Sequence, residues 1–262
     1  MQIACLLPTR DQPHLIHLAI YSFLQQTHAD RTLHILDDGD LPGVYGIPRL
    51  ENVVYTWTPG IKATLGAKLN AMARAATAPV LCNWDGDDWS SPDRLAHQLE
   101  TLTRAKAQMT GFTSLYYWDE TTLQAHRWEY KRGNIYACGS SQMYTREWAL
   151  KHPMLDRTLA VDWWAADLAA KAKALAAEPG EPYLVARYHH MSTWQRDLAH
   201  SGMPQVDAAL LPPNFFIDRA RVHQDKPDPA RLPITTAERP DLAAGFHRSE
   251  AFLASLKTPR RK

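Results

Sequence analysis

The sequence predicts an α/β fold: a three-layer sandwich around a mostly parallel central sheet, with an irregular C-terminal arm. Short apolar runs of strand length alternate with segments of helical spacing over the first hundred residues, the pattern of a sheet covered by helices on both faces. Two of those runs end in acidic, glycine-containing tetrads, at the carboxyl edge where open parallel sheets bind ligands. With 262 residues and a hydrophobic share of 45%, the chain can bury one sizeable core and a modest appendage, which excludes disorder of the whole. Its 29 Lys+Arg and 28 Asp+Glu leave a net charge of +1, so no global attraction draws it to nucleic acid or an anionic membrane.

Taken in order, Ile3 to Leu7 is a continuous apolar run, as a strand buried on both faces requires, and Pro8 to Pro13 is a proline-bounded loop. His14 to Gln26 has helical spacing through Leu15, Leu18, Ala19, Ser22 and Phe23. Thr32 to Leu36 is a second strand, running into Asp37-Asp38-Gly39-Asp40. Val53 to Trp57 is a third strand, Leu65 to Ala76 a helix, and Pro79 to Trp84 a fourth strand ending in Asp85-Gly86-Asp87-Asp88. Ser91-Pro92 opens another helix, proline being well tolerated in a first turn. Phe112 to Trp118 and His126 to Tyr130 read as antiparallel strands appended to the sheet. Trp148 to His152 and the alanine-rich Val161 to Ala177 read as helices, and Tyr183 to Tyr188 as a strand. The expected division is a domain over 1–195 and a proline-rich arm over 196–262, with a terminal helix at Leu242 to Leu256 and a basic tip, Pro259-Arg260-Arg261-Lys262.

Cys5, Cys82 and Cys138 are odd in number and widely spaced, which fits neither a disulfide framework nor a zinc ribbon and points to a reducing compartment. The opening residues lack a signal peptide's basic and apolar regions, and no window approaches the roughly 18 apolar residues of a membrane span. The expectation is a cytoplasmic protein.

The densest chemistry is in Asn83-Trp84-Asp85-Gly86-Asp87-Asp88-Trp89. Carboxylates this close repel one another unless a cation or several donors neutralise them. An all-oxygen set suits a hard ion, Mg²⁺ or Mn²⁺, of the kind shared with phosphates; a solvated turn capping the next helix is the alternative. Asp37 and Asp38 would reach the same sheet edge, where carboxylates can accept from a ribose or a base, and Thr9-Arg10 would meet them there.

Four segments in this order, Leu6-Leu7-Pro8-Thr9-Arg10, Ile35-Leu36-Asp37-Asp38-Gly39, Leu65-Gly66-Ala67-Lys68-Leu69-Asn70 and Trp84-Asp85-Gly86-Asp87-Asp88-Trp89, resemble the GT-A glycosyltransferases of family 2. The resemblance runs over residues 3 to 195 and includes Cys138 to Arg146, which looks like the family's acceptor-side segment. It implies a GT-A-like fold and a metal-dependent, inverting transfer of a sugar from a nucleotide diphosphate, most often UDP, to an acceptor hydroxyl on a carbohydrate or other molecule.

Residue by residue, the resemblance puts Pro8, Thr9, Arg10, Asp37, Asp38, Lys68, Asn70 and Asp85 on the donor, with Asp38 at the base and Asp85 at the ribose or sugar. Asp87 and Asp88 would hold the metal, joined by His189 or His190. Only one of that pair can face the site if a strand carries both. Asp162 is the expected general base, although Val161 replaces the acidic neighbour usual in the family; Asp167 and Asp156 are the runners-up. Trp89, Gly139, Ser140, Trp163 and Trp164 would lie on the acceptor side. Trp84 and Trp194 also flank the site, whereas Trp57, Trp118, Trp128 and Trp148 fall inside ordinary elements and read as core. Three other functions compete: a nucleotidyltransferase, for which no glycine-rich phosphate loop occurs; a non-catalytic carbohydrate-binding relative; and a glycosyltransferase acting on a hydroxymethylated DNA base held by the basic tail.

Overall fold

The computed structural model of the protein describes residues 1–13, 15–43, 52–130, 136–193, 198 and 201–224. The strands are β1 (Ile3–Thr9), β2 (Arg31–Asp37), β3 (Val53–Trp57), β4 (Val80–Asn83), β5 (Trp89–Ser90), β6 (Met109–Asp119), β7 (Gln124–Glu129), β8 (Met143–Thr145), β9 (Leu175–Pro179), β10 (Leu184–Tyr188) and β11 (Gln205–Val206). The helices are α1 (Ile16–Leu24), α2 (Leu65–Ala75), α3 (Arg94–Arg104), α4 (Arg146–Lys151), α5 (Val161–Lys171) and α6 (Pro213–Gln224).

One mixed sheet runs β11-β7-β6-β8-β4-β1-β2-β3. Its N-terminal block is parallel: β1 lies between β2 and β4, with Cys5 beside Leu33 and Cys82, and β2 carries β3 on its far side. Ile3, Ala4, Cys5, Leu6 and Leu7 are all fully buried, which is why this run shows no alternation. Residues on one face of the sheet pack against Ile16, Ala19, Ile20 and Phe23 of α1 and Leu95 and Leu102 of α3. On the other face, Leu69, Met72 and Ala73 of α2 meet Ala165 and Ala169 of α5, completing the three layers.

Beyond β4 the pairing alternates. β8 joins β4 antiparallel, and the long β6 is shared among four strands. Its first residues lie between β8 and β9, and its last between β10 and β7. A register shift between Phe112 and Ser114 marks the changeover.

The alanine-rich segment differs from expectation. The helix ends at Lys171, Lys173 takes a positive φ of 55° and Leu175–Pro179 becomes a strand parallel to β6. Alanine's helix preference is worth tenths of a kcal/mol per residue, so a waiting sheet edge overrides it. The arm also contributes more than expected. β11 pairs with β7, and α6, with proline in its first turn, sends Phe215 into a cluster with Trp89 and Trp118. The segment 242–256 and the basic tip lie outside the described residues. Among the described residues no helix is long and apolar enough to cross a membrane.

Glycine is required where α2 begins. A Cβ on Gly66 would fall 1.8 Å from the carbonyl oxygen of Leu155, a backbone atom that cannot swing aside. Gly66→Ala is expected to cost about 2 kcal/mol or more by displacing that segment, read as a lower urea midpoint with an unchanged slope; an unchanged midpoint would contradict the contact.

Candidate active site

The site is assembled where β4 ends. Asn83 closes the strand and fixes both sides of its amide: Nδ2 donates to the Gly139 carbonyl at 2.9 Å, and Oδ1 accepts from the Tyr144 hydroxyl at 2.9 Å. The chain then turns through Asp85-Gly86-Asp87-Asp88, whose three carboxylates bring ligand atoms within 4.8 Å of one another. Burial, then the charge of Asp87, raises the pKa of Asp85 to about 7. Burial and the charges of Asp87 and Asp85 raise that of Asp88 well above the carboxylate range, although Oδ1 accepts the Arg187 N–H at 3.0 Å. Such a cluster is short of positive charge, and close carboxylate oxygens are the donor set a hard divalent cation takes. Asp85, Asp87 and Asp88 therefore fit Mg²⁺ or Mn²⁺. His189, buried, lies with Nε2 3.0 Å from Asp87 Oδ2, while His190 is exposed with its ring 6.3 Å from that of His189.

Asp162 lines the same cleft as this turn, a cavity of about 510 Å³. It stands in the first turn of α5, against the one-turn 3-10 helix Gly139–Ser141. A Cβ on Gly139 would lie 2.4 Å from the Asp162 Cβ, so only glycine lets the two segments meet. Gln142 Nε2 donates to the Asp162 carbonyl at 2.9 Å, and the Tyr136 hydroxyl donates to Asp162 Oδ2 at 3.0 Å. Pro8, the three carboxylates, Gly139, Ser140 and Asp162 line the cleft.

Other expected donor residues form a separate buried knot. Asp38, 1% exposed, takes two hydrogen bonds from Arg10, one from Lys68 Nζ at 2.8 Å and one from the Ala63 N–H at 2.7 Å. Burial opposes its ionisation, but the bonds and charges of Arg10 and Lys68 outweigh that and lower its pKa. Lys68 also reaches the carbonyl of the buried Thr9, at 3.0 Å. Asp37 is spent on its own loop, accepting from the Gly39 and Gly43 N–H groups and the Tyr55 hydroxyl. Asn70 pins the Met154 backbone with both ends of its amide. Thr9, Arg10, Asp37, Asp38, Lys68 and Asn70 are not among the residues lining the cleft, and the hydrogen bonds described for them are with protein groups.

The tryptophans divide differently from expectation. Trp89 is 1% exposed, packs on Phe215 and donates Nε1 to Asp218 Oδ2 at 2.9 Å, so it is core and not acceptor wall. Trp84 is equally buried, edge-on to Phe23. Trp164 packs on the core cluster beneath α5, and Trp163 is exposed. Trp194 lies outside the described residues. Trp128, read as core, lines the cleft with Tyr117 and Tyr136. The runners-up to Asp162 are engaged elsewhere: Asp167 pairs with Lys171 at 2.7 Å, and Asp156 accepts from the Thr64 hydroxyl.

The sequence motifs also miss the supports. Arg94, 1% exposed, donates to Ser90 Oγ, the Asn83 carbonyl and the Ser140 carbonyl, binding α3 to both sides of the site. Arg187 and Arg219 share Glu120, which links β10 and α6 behind Asp88. No local spacing announces them, because each joins segments far apart in the chain.

A family model described as glycosyl transferase family 2 matches residues 5–164. No curated protein matches the sequence. Among solved structures, the chain is similar to S. aureus TarS, with a TM-score of 0.54 and 11% identity over 72% of this chain and 37% of that one. TarS 1-349 in complex with UDP-GlcNAc gives 0.54 and 11% over 73% of this chain and 60% of that one, and the UDP complex 0.53 and 11% over 72% and 61%. At this identity the likeness is one of fold, and the chain spans between 37% and 61% of those structures.

Two expectations test the electrostatics. Because the folded pKa of Asp85 is raised, the folded state binds the extra proton, and stability without a cation falls as pH rises from about 4 to about 7. Added Mn²⁺ is expected to raise Tm by several degrees near pH 8 and by less near pH 6, where protons compete; an equal rise in Asp87→Ala would place the cation elsewhere. Asp38→Asn leaves Lys68 buried beside a neutral group and is expected to cost about 3 kcal/mol at neutral pH. The lowered pKa of Asp38 stabilises the fold above its ordinary value of 3.8 and ceases to do so as pH falls through the folded value. The difference between variant and wild type in urea unfolding should therefore shrink in acid.

Proposed function

The chain belongs to glycosyl transferase family 2, and we propose that it is a glycosyltransferase that moves a sugar from a uridine diphosphate donor to an acceptor hydroxyl, with inversion and with a divalent metal. The observation that carries this reading is that Asp162 and the Asp85, Asp87, Asp88 trio line one cleft. A base and a diphosphate site within one cleft are what an in-line displacement needs. TarS 1-349, similar in fold, was solved with UDP and with UDP-GlcNAc, which supports the same nucleotide here.

In this reading Asp87 and Asp88 hold the cation, and Asp85 lies toward the donor. His189 orients the Asp87 carboxylate from behind. A bound cation supplies charge to offset that building on the leaving diphosphate. The acceptor hydroxyl enters beside Asp162, which takes its proton as the oxygen attacks the anomeric carbon on the face opposite the diphosphate. The Gly139 contact and the Gln142 hydrogen bond fix the base before substrate arrives, so little positional freedom is lost in the encounter. Trp128 and Tyr136 offer aromatic faces for a sugar ring, which favours a carbohydrate acceptor. A purely binding relative would have no use for a braced carboxylate in the same cleft as a cation site.

A panel of nucleotide sugars, scored for hydrolysis with and without Mn²⁺, tests the reading; UDP-sugars are expected to turn over only with the metal. Asp162→Asn is expected to keep donor binding and lose about 100-fold or more in kcat. Full turnover by that variant would remove Asp162 from its role, and metal-independent turnover would remove the cation.

A further inference from the structure

We propose that Tyr136 is the positioning residue of the catalytic base: its hydroxyl holds one oxygen of Asp162, leaving the other for the acceptor. The inference rests on the reading of Asp162 as the base and goes beyond it by assigning a role to a residue outside every motif.

The geometry is specific. Tyr136 Oη donates to Asp162 Oδ2 at 3.0 Å, and among the described residues no donor reaches Oδ1. Oδ2 is also the oxygen nearest Gly139, where an added Cβ would come within 2.7 Å. One carboxylate oxygen is thus confined by a hydroxyl and a backbone. A carboxylate tethered through one oxygen keeps a single rotamer, whereas a free one rotates about its terminal bond and presents its base only part of the time.

Tyr136 is itself braced. Its ring stacks on Tyr130 at 4.7 Å between centroids and meets Trp128 edge-on at 5.8 Å, and Trp128 belongs to β7. The sheet therefore fixes the phenol, and the phenol fixes the base. Tyr117, Cys138 and Asp85 lie near enough to Asp162 to feel its charge, and the hydroxyl that holds its carboxylate is that of Tyr136. Both Tyr136 and Trp128 line the cleft, so an acceptor bound against them would lie beside the oxygen that Tyr136 leaves open.

A double-mutant cycle decides the matter, using the donor most rapidly hydrolysed in the panel, with water as acceptor. Tyr136→Phe removes only the hydroxyl and is expected to lower kcat about tenfold, with the KM for donor and the Tm unchanged. In the Asp162→Asn background the same substitution is expected to add nothing, because the oxygen it positions no longer acts as a base. Equal losses in both backgrounds, or an unchanged kcat, would overturn the proposal. If Tyr136→Phe lowers Tm by more than a few degrees, Tyr130→Phe serves as a second variant. It keeps the ring stack and the Tyr136 hydroxyl, so full kcat is expected, and a tenfold loss there would make the effect one of packing and overturn the proposal. Full activity of Asp162→Asn alone would instead refute the base assignment, an outcome distinct from any result at Tyr136.

Discussion

The buried guanidinium of Arg94 is the constraint on which the site depends. Among the described residues no carboxylate forms an ion pair with it, yet it is 1% exposed and lies 4.9 Å from the centroid of the Trp84 ring. Its hydrogen bonds go to the Asn83 and Ser140 carbonyls and to neutral side chains. Its charge is answered at longer range by Asp85 and Asp88, whose pKa values it lowers against the stronger effect of burial. A buried cation and a buried anion cluster are each costly alone. Held on one scaffold they offset one another in part, and the remaining negative charge is what a divalent ion would neutralise.

Arg94 also sets distances. By gripping Asn83 on one side and Ser140 on the other it fixes the acidic turn relative to the Gly139–Ser141 helix, and Gly139 in turn fixes Asp162. The acidic turn and Asp162 are thereby linked through short contacts, several of them to backbone. A displacement reaction requires its base and its leaving-group site to keep their separation while substrates come and go.

Much of this was legible from the sequence. Apolar runs identified the parallel block most clearly at β1, whose Ile3 to Leu7 are buried on both faces and include no polar residue to break the pattern. The acidic turn and Asp162, candidates from the sequence, line one cleft in the structure. Residues 175–179 were not legible, since Leu-Ala-Ala-Glu-Pro carries no strand preference and is extended only because β6 has a free edge there. Asn70, Asp37 and Trp89 looked like ligand residues and are spent on Met154, the 39–43 loop and Asp218. A side chain's partner across 84 or 129 residues leaves no local trace. Tyr136, two residues before the Cys138-Gly139-Ser140 segment, was missed for the same reason: its partner lies 26 residues on.

Helix α6 completes the acidic turn from the far end of the described chain. Trp89, next to Asp88, is bonded to Asp218, and Arg219 reaches Glu120, which holds Arg187 against the same turn. During synthesis the N-terminal strands and the acidic turn emerge from the ribosome well over a hundred residues before α6 does. A nascent chain can pair β1, β2 and β4 early, but its carboxylates lack their rear support until residue 219 has emerged. The order of translation thus separates the birth of the sheet from the birth of the site, and an unfinished chain is a fold without a finished active centre.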